Sequence, residues 1–302
     1  MWDGGEVNFE TIDGWRASGR IFRHGGHDVF YQDAGVSGAE VLLCMHGFPT
    51  ASWDWHRVWP ELCARWRVIA PDMIGYGFSD KPVAYDYSLV DQADICEKLL
   101  DALGVRRVHL LAHDVGDSVA QELLARQAER VDAGDNRLTI ESVCLLNGGV
   151  IPEAHRPTLN QRLLASPLGF LFGRLMTERK FCASISVVFG ASTKPSAAEL
   201  AELWRLVAFN DGQRIAHKLI GYMAERRRWR DRWVGALRSN VPLRMINGLD
   251  DPVSGARMVT RLREEVPDVD VVSLPGIGHY PQLEDPAGVL RAYVEFRTVG
   301  KP

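Results

Sequence analysis

The sequence predicts an α/β fold: a mostly parallel central sheet flanked by helices, interrupted late in the chain by a helical insertion. Three observations carry this. A continuous apolar run at 41–45 reads as a strand buried on both faces, 66–70, 105–111 and 138–147 read as further short strands, and helical spacing follows them. From about 150 to 240 such runs vanish and helical patterns take over. Strand runs then return at 243–247 and 269–274, with a closing helix at 286–296. Residues 1–149 and 241–302 are therefore expected to form one core, with 150–240 as a helical cap.

In chain order, 1–20 is polar and Gly-rich, with no apolar core of the signal-peptide type. Two short strands, 19–23 and 28–32, flank the turn His24-Gly25-Gly26-His27, as in a hairpin. The strand at 41–45 ends in His46-Gly47-Phe48-Pro49, a loop able to turn the Phe48 N–H into a pocket. Ser52-Trp53-Asp54-Trp55 opens an aromatic helix. The Gly pair in 71–82 marks a structural loop, and 87–103 is a helix stopped by Gly104. Within the insertion, 159–175, 197–209 and 213–226 have helical spacing. The basic run 226–233 reads as a solvated helix face with Trp229 and Trp233 turned inward.

Leu110-Leu111-Ala112-His113-Asp114-Val115-Gly116 is a strand that breaks sharply into a helix. Small residues two positions either side of Asp114 match a nucleophile elbow, with a carboxylate where a serine is common. Later strands end in Gly248-Leu249-Asp250-Asp251-Pro252 and Gly276-Ile277-Gly278-His279. Nucleophile, acid and histidine thus follow in the order Asp114, Asp251, His279, all at strand carboxyl ends, where such sheets build sites. Asp250 competes with Asp251, which is favoured by the G-x-x-D-P spacing.

A carboxylate is ionised at neutral pH and attacks carbon directly, giving an alkyl ester. His279 would then act as general base on water, oriented by Asp251. The backbone N–H groups of Phe48 and Val115 would receive the oxyanion. His46, His113 and His155 are candidate substrate contacts. This chemistry suits epoxide opening or carbon–halogen cleavage rather than peptide or ester cleavage.

The motifs His46-Gly47-Phe48-Pro49, Gly75-Tyr76-Gly77-Phe78-Ser79, His113-Asp114-x-Gly116 and Gly278-His279 resemble the epoxide hydrolase and haloalkane dehalogenase branch of the α/β-hydrolase fold. A closer resemblance, to the mesoderm-specific transcript family, rests on Phe78-Ser79-Asp80-Lys81-Pro82, His155-Arg156-Pro157, Asn210-Asp211-Gly212, Arg232-Trp233-Val234-Gly235-Ala236-Leu237 and His279-Tyr280-Pro281-Gln282. The resemblance implies a hydrolase, most simply one opening an epoxide to a diol. It carries the role of ring-opening donor to Tyr222, the one tyrosine between Val150 and Asn240; His155 is a second candidate donor. Epoxide hydrolases usually use two tyrosines, and the region where the second is sought, Val187-Val188-Phe189, is apolar. Haloalkane dehalogenases place a Trp after the nucleophile; Val115 stands there, which ranks dehalogenation second. Fluoroacetate-type enzymes place Arg near the nucleophile, and neither Val115 nor Ser118 offers one. A non-catalytic binding protein with a hydrolase shell is the third alternative.

The 302 residues are 46% hydrophobic and 25% charged with net charge −4, which gives no support for nucleic-acid binding. Five scattered cysteines lack metal spacing and suit a reducing compartment. No cofactor or metal and no membrane span is expected, the partner is a small lipophilic substrate, and the expected location is cytoplasmic. The oligomeric state is not legible.

Overall fold

The structure, a computed structural model, describes residues 9–298. The readings for 1–8 and 299–302 lie outside the described residues. A short helix, α1 (Ile12–Ser18), leads in, its N-terminus capped by the Thr11 side chain, which accepts from the Gly14 N–H. It was not legible as a helix because it is about two turns long and contains Gly14. It is held by tertiary packing: Ile12 and Trp15 are buried, and the Trp15 indole donates to Ser52 Oγ.

β1 (Arg20–His24) and β2 (His27–Gly35) form the expected hairpin. β3 (Val41–Met45) is followed by a 3-10 turn at Ser52–Trp55 and α2 (Trp59–Cys63), and β4 (Arg67–Pro71) by α3 (Leu89–Ala102). β5 (Arg107–His113) runs into α4 (Val115–Asp132), then β6 (Thr139–Leu146). The eight strands lie in the order β1-β2-β4-β3-β5-β6-β7-β8, where β7 is Leu243–Gly248 and β8 is Asp270–Leu274. β2 is antiparallel to both of its neighbours; from β4 onward every pairing is parallel. This is the α/β-hydrolase fold.

Alternate strand residues feed two apolar layers, as a period of two requires. Leu43, Met45, Leu110, Ala112 and Val143 pack with α3 and α4 on one face. Leu42, Cys44, Leu111, Cys144 and Ile246 pack with α1 and α2 on the other. Each fully buried aliphatic side chain contributes about 1.5–3 kcal/mol relative to exposure.

Between β6 and β7 the described chain is helical: α5 (Leu159–Leu164), α6 (Gly169–Arg174), α7 (Glu178–Ser186), α8 (Ala197–Ala208), α9 (Ala216–Leu219), α10 (Tyr222–Arg228) and α11 (Arg230–Ala236). The single helix expected over 159–175 is two, broken around Ser166-Pro167, where proline disfavours helical geometry in the residue before it. After β7 come α12 (Ala256–Glu265) and, after β8, α13 (Pro281–Glu284) and α14 (Pro286–Thr298).

Candidate active site

The turn from β5 into α4 places Asp114 at φ 47°, ψ −103°, a conformation costing a non-glycine residue about 1–3 kcal/mol. The surroundings hold it there. The Asp114 N–H donates to the Leu146 carbonyl at 3.1 Å, and the Gly116 N–H donates to that of His46 at 3.0 Å. A side chain at position 116 would bring its Cβ to 2.4 Å from the Met45 oxygen, so the close crossing of β3 and α4 demands glycine. The Phe48 N–H donates to Asp114 Oδ2 at 3.1 Å. Val115 opens α4 directly after Asp114, and its N–H makes no hydrogen bond to the carboxylate.

His279, in the loop after β8, lies between two carboxylates. Its Nδ1 is 2.8 Å from Asp251 Oδ2, and its Nε2 is 3.8 Å from Asp114 Oδ2. Asp251 is fixed in turn by the Asn147 amide at 2.9 Å and the Val253 N–H at 2.7 Å. Asp250 instead accepts from the Gly276 N–H, so the carboxylate that reaches His279 is Asp251. Burial pulls the His279 imidazole down, but Asp251 and Asp114 outweigh it and push it up to about 10. Burial would raise the Asp114 carboxyl, yet His279 and Arg226 together hold it well below the usual carboxylate range. The His279 loop is organised by Glu284, which accepts from the N–H groups of Gly278, Tyr280 and Gly190. The His279 N–H donates to the Val188 carbonyl of the insertion.

The three other candidate histidines differ. His46 Nε2 accepts from the Met73 N–H at 3.0 Å and its Nδ1–H donates to the Gly47 carbonyl at 2.8 Å. Both ring nitrogens are thus committed to backbone, and no polar atom of the ring is left for a substrate; His46 holds the loop together. His113, pushed down to about 3 by burial and by His279, donates its Nε2–H to the His279 carbonyl at 2.7 Å. It too fastens a loop rather than facing a ligand with a free donor. His155 has both ring nitrogens buried and unpartnered, and burial with the Arg226 charge pushes it down to about 3.

Tyr222 is buried on α10, with its ring 5.7 Å from that of Phe48. Its hydroxyl accepts from the Gln161 amide at 3.0 Å, leaving its own hydrogen free. Burial and the Asp114 charge hold its phenol well above the ordinary tyrosine range.

One turn further along α10 is Arg226, the residue that the basic-run reading misplaced. It does not face solvent. It is 2% exposed, and its Nη2 donates to the Asp114 carbonyl oxygen at 2.7 Å and to Asp114 Oδ1 at 3.2 Å, while Nε donates to Ser118 Oγ at 2.7 Å. The expectation that no arginine stands near Asp114 is corrected: it arrives from the insertion, not from the elbow. Positions i and i+4 share a helix face, so the placement of Tyr222 over the site already implied Arg226. Arg227 and Arg228 are exposed, as the solvated-face reading expects, whereas Arg230 and Arg232 are engaged. Arg230 pairs with Glu153 and Glu265, and Arg232 with Glu122 and Glu129; Trp233 is buried, as expected. Sequence reasoning also missed Glu225, which accepts from Ser88 Oγ and the Leu89 N–H and so pins α10 to the start of α3.

Arg226 Nη1 and the His155 ring converge on Gly149, where a Cβ would lie 2.4 Å from the former and 3.1 Å from His155 Nδ1. Arg226 Nη1 is buried without a partner. A largely apolar cavity of about 740 Å³, open mouth included, reaches Phe48, His279 and Tyr280 from between α5, α7 and the loop at Val253. Among the described residues no cluster of histidine, cysteine and acidic side chains could hold a metal ion.

Comparison with known proteins gives the family and the fold. The family model for the alpha/beta hydrolase fold matches residues 40–134. The mesoderm-specific transcript protein of Mus musculus is 44% identical over 95% of this chain and 88% of its own length. The chain belongs to the mesoderm-specific transcript family. Its fold recurs in two solved structures. One is the epoxide hydrolase CorEH (TM-score 0.70, 20% identity, 92% of this chain and 97% of that one). The other is a loop variant of the haloalkane dehalogenase DbeA from Bradyrhizobium elkanii (TM-score 0.74, 22% identity, 92% and 95%). Within the mesoderm-specific transcript family, then, this chain presents Asp114, His279 and Asp251 on an α/β-hydrolase sheet, with Tyr222 and Arg226 brought to them by α10. Among the described residues no helix is long and apolar enough to cross a membrane.

Proposed function

We propose that the protein is a hydrolase with Asp114 as nucleophile, and that it opens lipophilic epoxides to diols. The observation that carries this is an ionised carboxylate at the elbow, within a hydrogen bond of the Phe48 N–H and 3.8 Å from the His279 imidazole. Asp114 Oδ1 attacks an epoxide carbon, the C–O bond breaks, and the oxygen takes the Tyr222 hydroxyl proton. Esterification removes the charge of Asp114, one of the two that keep His279 protonated, so the imidazolium gives its proton up, by way of water, to the Tyr222 phenolate left by ring opening, and His279 becomes a base. His279 takes a proton from water as the water oxygen adds to Asp114 Cγ, and the Phe48 N–H holds the oxyanion on Oδ2. The ester C–O bond breaks, the diol leaves with the proton His279 took from water, and the proton left on the Asp114 carboxyl returns to His279, restoring the starting state. Wild type and Asp114→Asn, assayed for diol from a panel of aryl and fatty-acid epoxides, test the proposal. A wild type that opens none of them removes it.

A second reading is carbon–halogen cleavage. Val115 supplies no side-chain donor for a halide, but the unpartnered Nη1 of Arg226 beside Asp114 is a cationic donor for an anionic leaving group. Halide release from bromoalkanes without diol formation from epoxides would favour it.

A further inference from the structure

The outer surface of the insertion carries a feature that catalysis does not use. Of the eleven large apolar side chains exposed among the described residues, seven fall within residues 159–187. They include Leu159, Leu175 and Val187, each more than 60% exposed, with Leu168, Phe170 and Phe172. These belong to α5, to α6 and its two ends, and to the residue that closes α7. Four of them are contiguous: a surface groove is lined by Leu159, Phe172, Leu175 and Val187 together, with Lys180 beside them. The groove shares Thr158, Asn160, Met176 and Ser184 with the cavity that reaches His279, so the patch borders that cavity.

Its charge is as distinctive as its apolarity. Residues 156–187 hold Arg156, Arg162, Arg174, Arg179 and Lys180 against the single acid Glu178, a net of +4 in a chain of net −4. The cations are exposed and none forms an ion pair among the described residues, whereas the arginines of the basic run in α10 and α11 that face the core are paired with acids. Exposed leucine and phenylalanine interleaved with unpaired arginine is the composition of a surface that lies in the interface of an anionic bilayer. Contiguous exposed apolar area of this kind marks an interaction site. A second copy of the chain is a poor occupant, because a symmetric contact would set +4 against +4.

We propose that residues 156–187 dock on the surface of an anionic lipid bilayer, so that the cavity mouth opens onto the lipid and lipophilic molecules enter without crossing water. This rests on the insertion's surface and not on the role of Asp114. The test is flotation of the full chain with vesicles of phosphatidylcholine, with and without phosphatidylglycerol, at low and high salt. Two paired variants are compared, Leu175→Ser with Val187→Ser and Arg174→Glu with Arg179→Glu, with Val131→Ser on α4 as an exposed apolar control. All sites are exposed, and thermal unfolding checks that the variants fold. The protein is expected to float with the anionic vesicles, less so at high salt, with each paired variant weakening binding about tenfold or more and the control unchanged. Failure to float with anionic vesicles overturns the proposal, as does flotation that neither pair weakens. So does a concentration-dependent dimer, abolished by the variants, in place of vesicle binding.

Discussion

The guanidinium of Arg226 grips Asp114 twice, at its carbonyl oxygen (2.7 Å) and at carboxylate Oδ1 (3.2 Å), so one cation from the insertion steadies both the strained turn and its charge. With Arg226→Gln, Asp114 loses that cation while staying buried. Its carboxyl should titrate at higher pH, moving the acid limb of kcat/KM upward. Breaking a buried pair costs about 3–5 kcal/mol, to be read from denaturant unfolding. Arg226→Lys keeps the charge without the planar fork and should fall between the two.

Stability should depend on pH through His279. Its folded value is raised to about 10, above the ordinary histidine value of about 6.5. The contribution is therefore complete below about pH 6.5 and lost as pH rises through about 10. Asp114 behaves oppositely: its lowered carboxyl stabilises above about pH 3.9 and loses that effect on acidification. Unfolding free energies measured between these limits should decline on the alkaline side, and Asp251→Asn should flatten that decline.

Tyr222→Phe tests the ring-opening donor. The hydroxyl accepts one hydrogen bond from Gln161, so stability should fall by only about 1 kcal/mol. Epoxide opening should slow about 10²-fold or more. Equal loss of any halide release would contradict a role specific to the epoxide oxygen.

Glu225→Ala tests whether α10 must be pinned for the site to work. Its carboxylate caps α3 through Ser88 and the Leu89 N–H. Loss should cost about 1–3 kcal/mol in unfolding free energy. Because Tyr222 and Arg226 ride the same helix, kcat should drop about tenfold or more with small displacements.

How much of this was legible in the sequence follows the range of each interaction. Strands such as Val41–Met45 declare themselves because burial on both faces demands an unbroken apolar run. Asp114, Asp251 and His279 follow from local turn chemistry at strand ends in chain order. Arg226 was legible only by way of Tyr222 four residues before it, and Glu225 not at all, because their meaning depends on which face of α10 meets the core 112 or more residues earlier in the chain. Nor was the commitment of His46 and His113 to backbone partners, since Met73 and the His279 carbonyl are brought to them only by the packed loops. The break at Ser166-Pro167 was legible, and helical spacing on either side concealed it.

The central claim is that Asp114 forms a covalent ester and His279 is needed to cleave it. The most direct measurement is intact and peptide mass spectrometry of His279→Gln after incubation with an epoxide that the wild type consumes. A stable adduct of one substrate mass is expected on the peptide carrying Asp114, absent from the double variant with Asp114→Asn. No adduct, or an adduct on another residue, would contradict it.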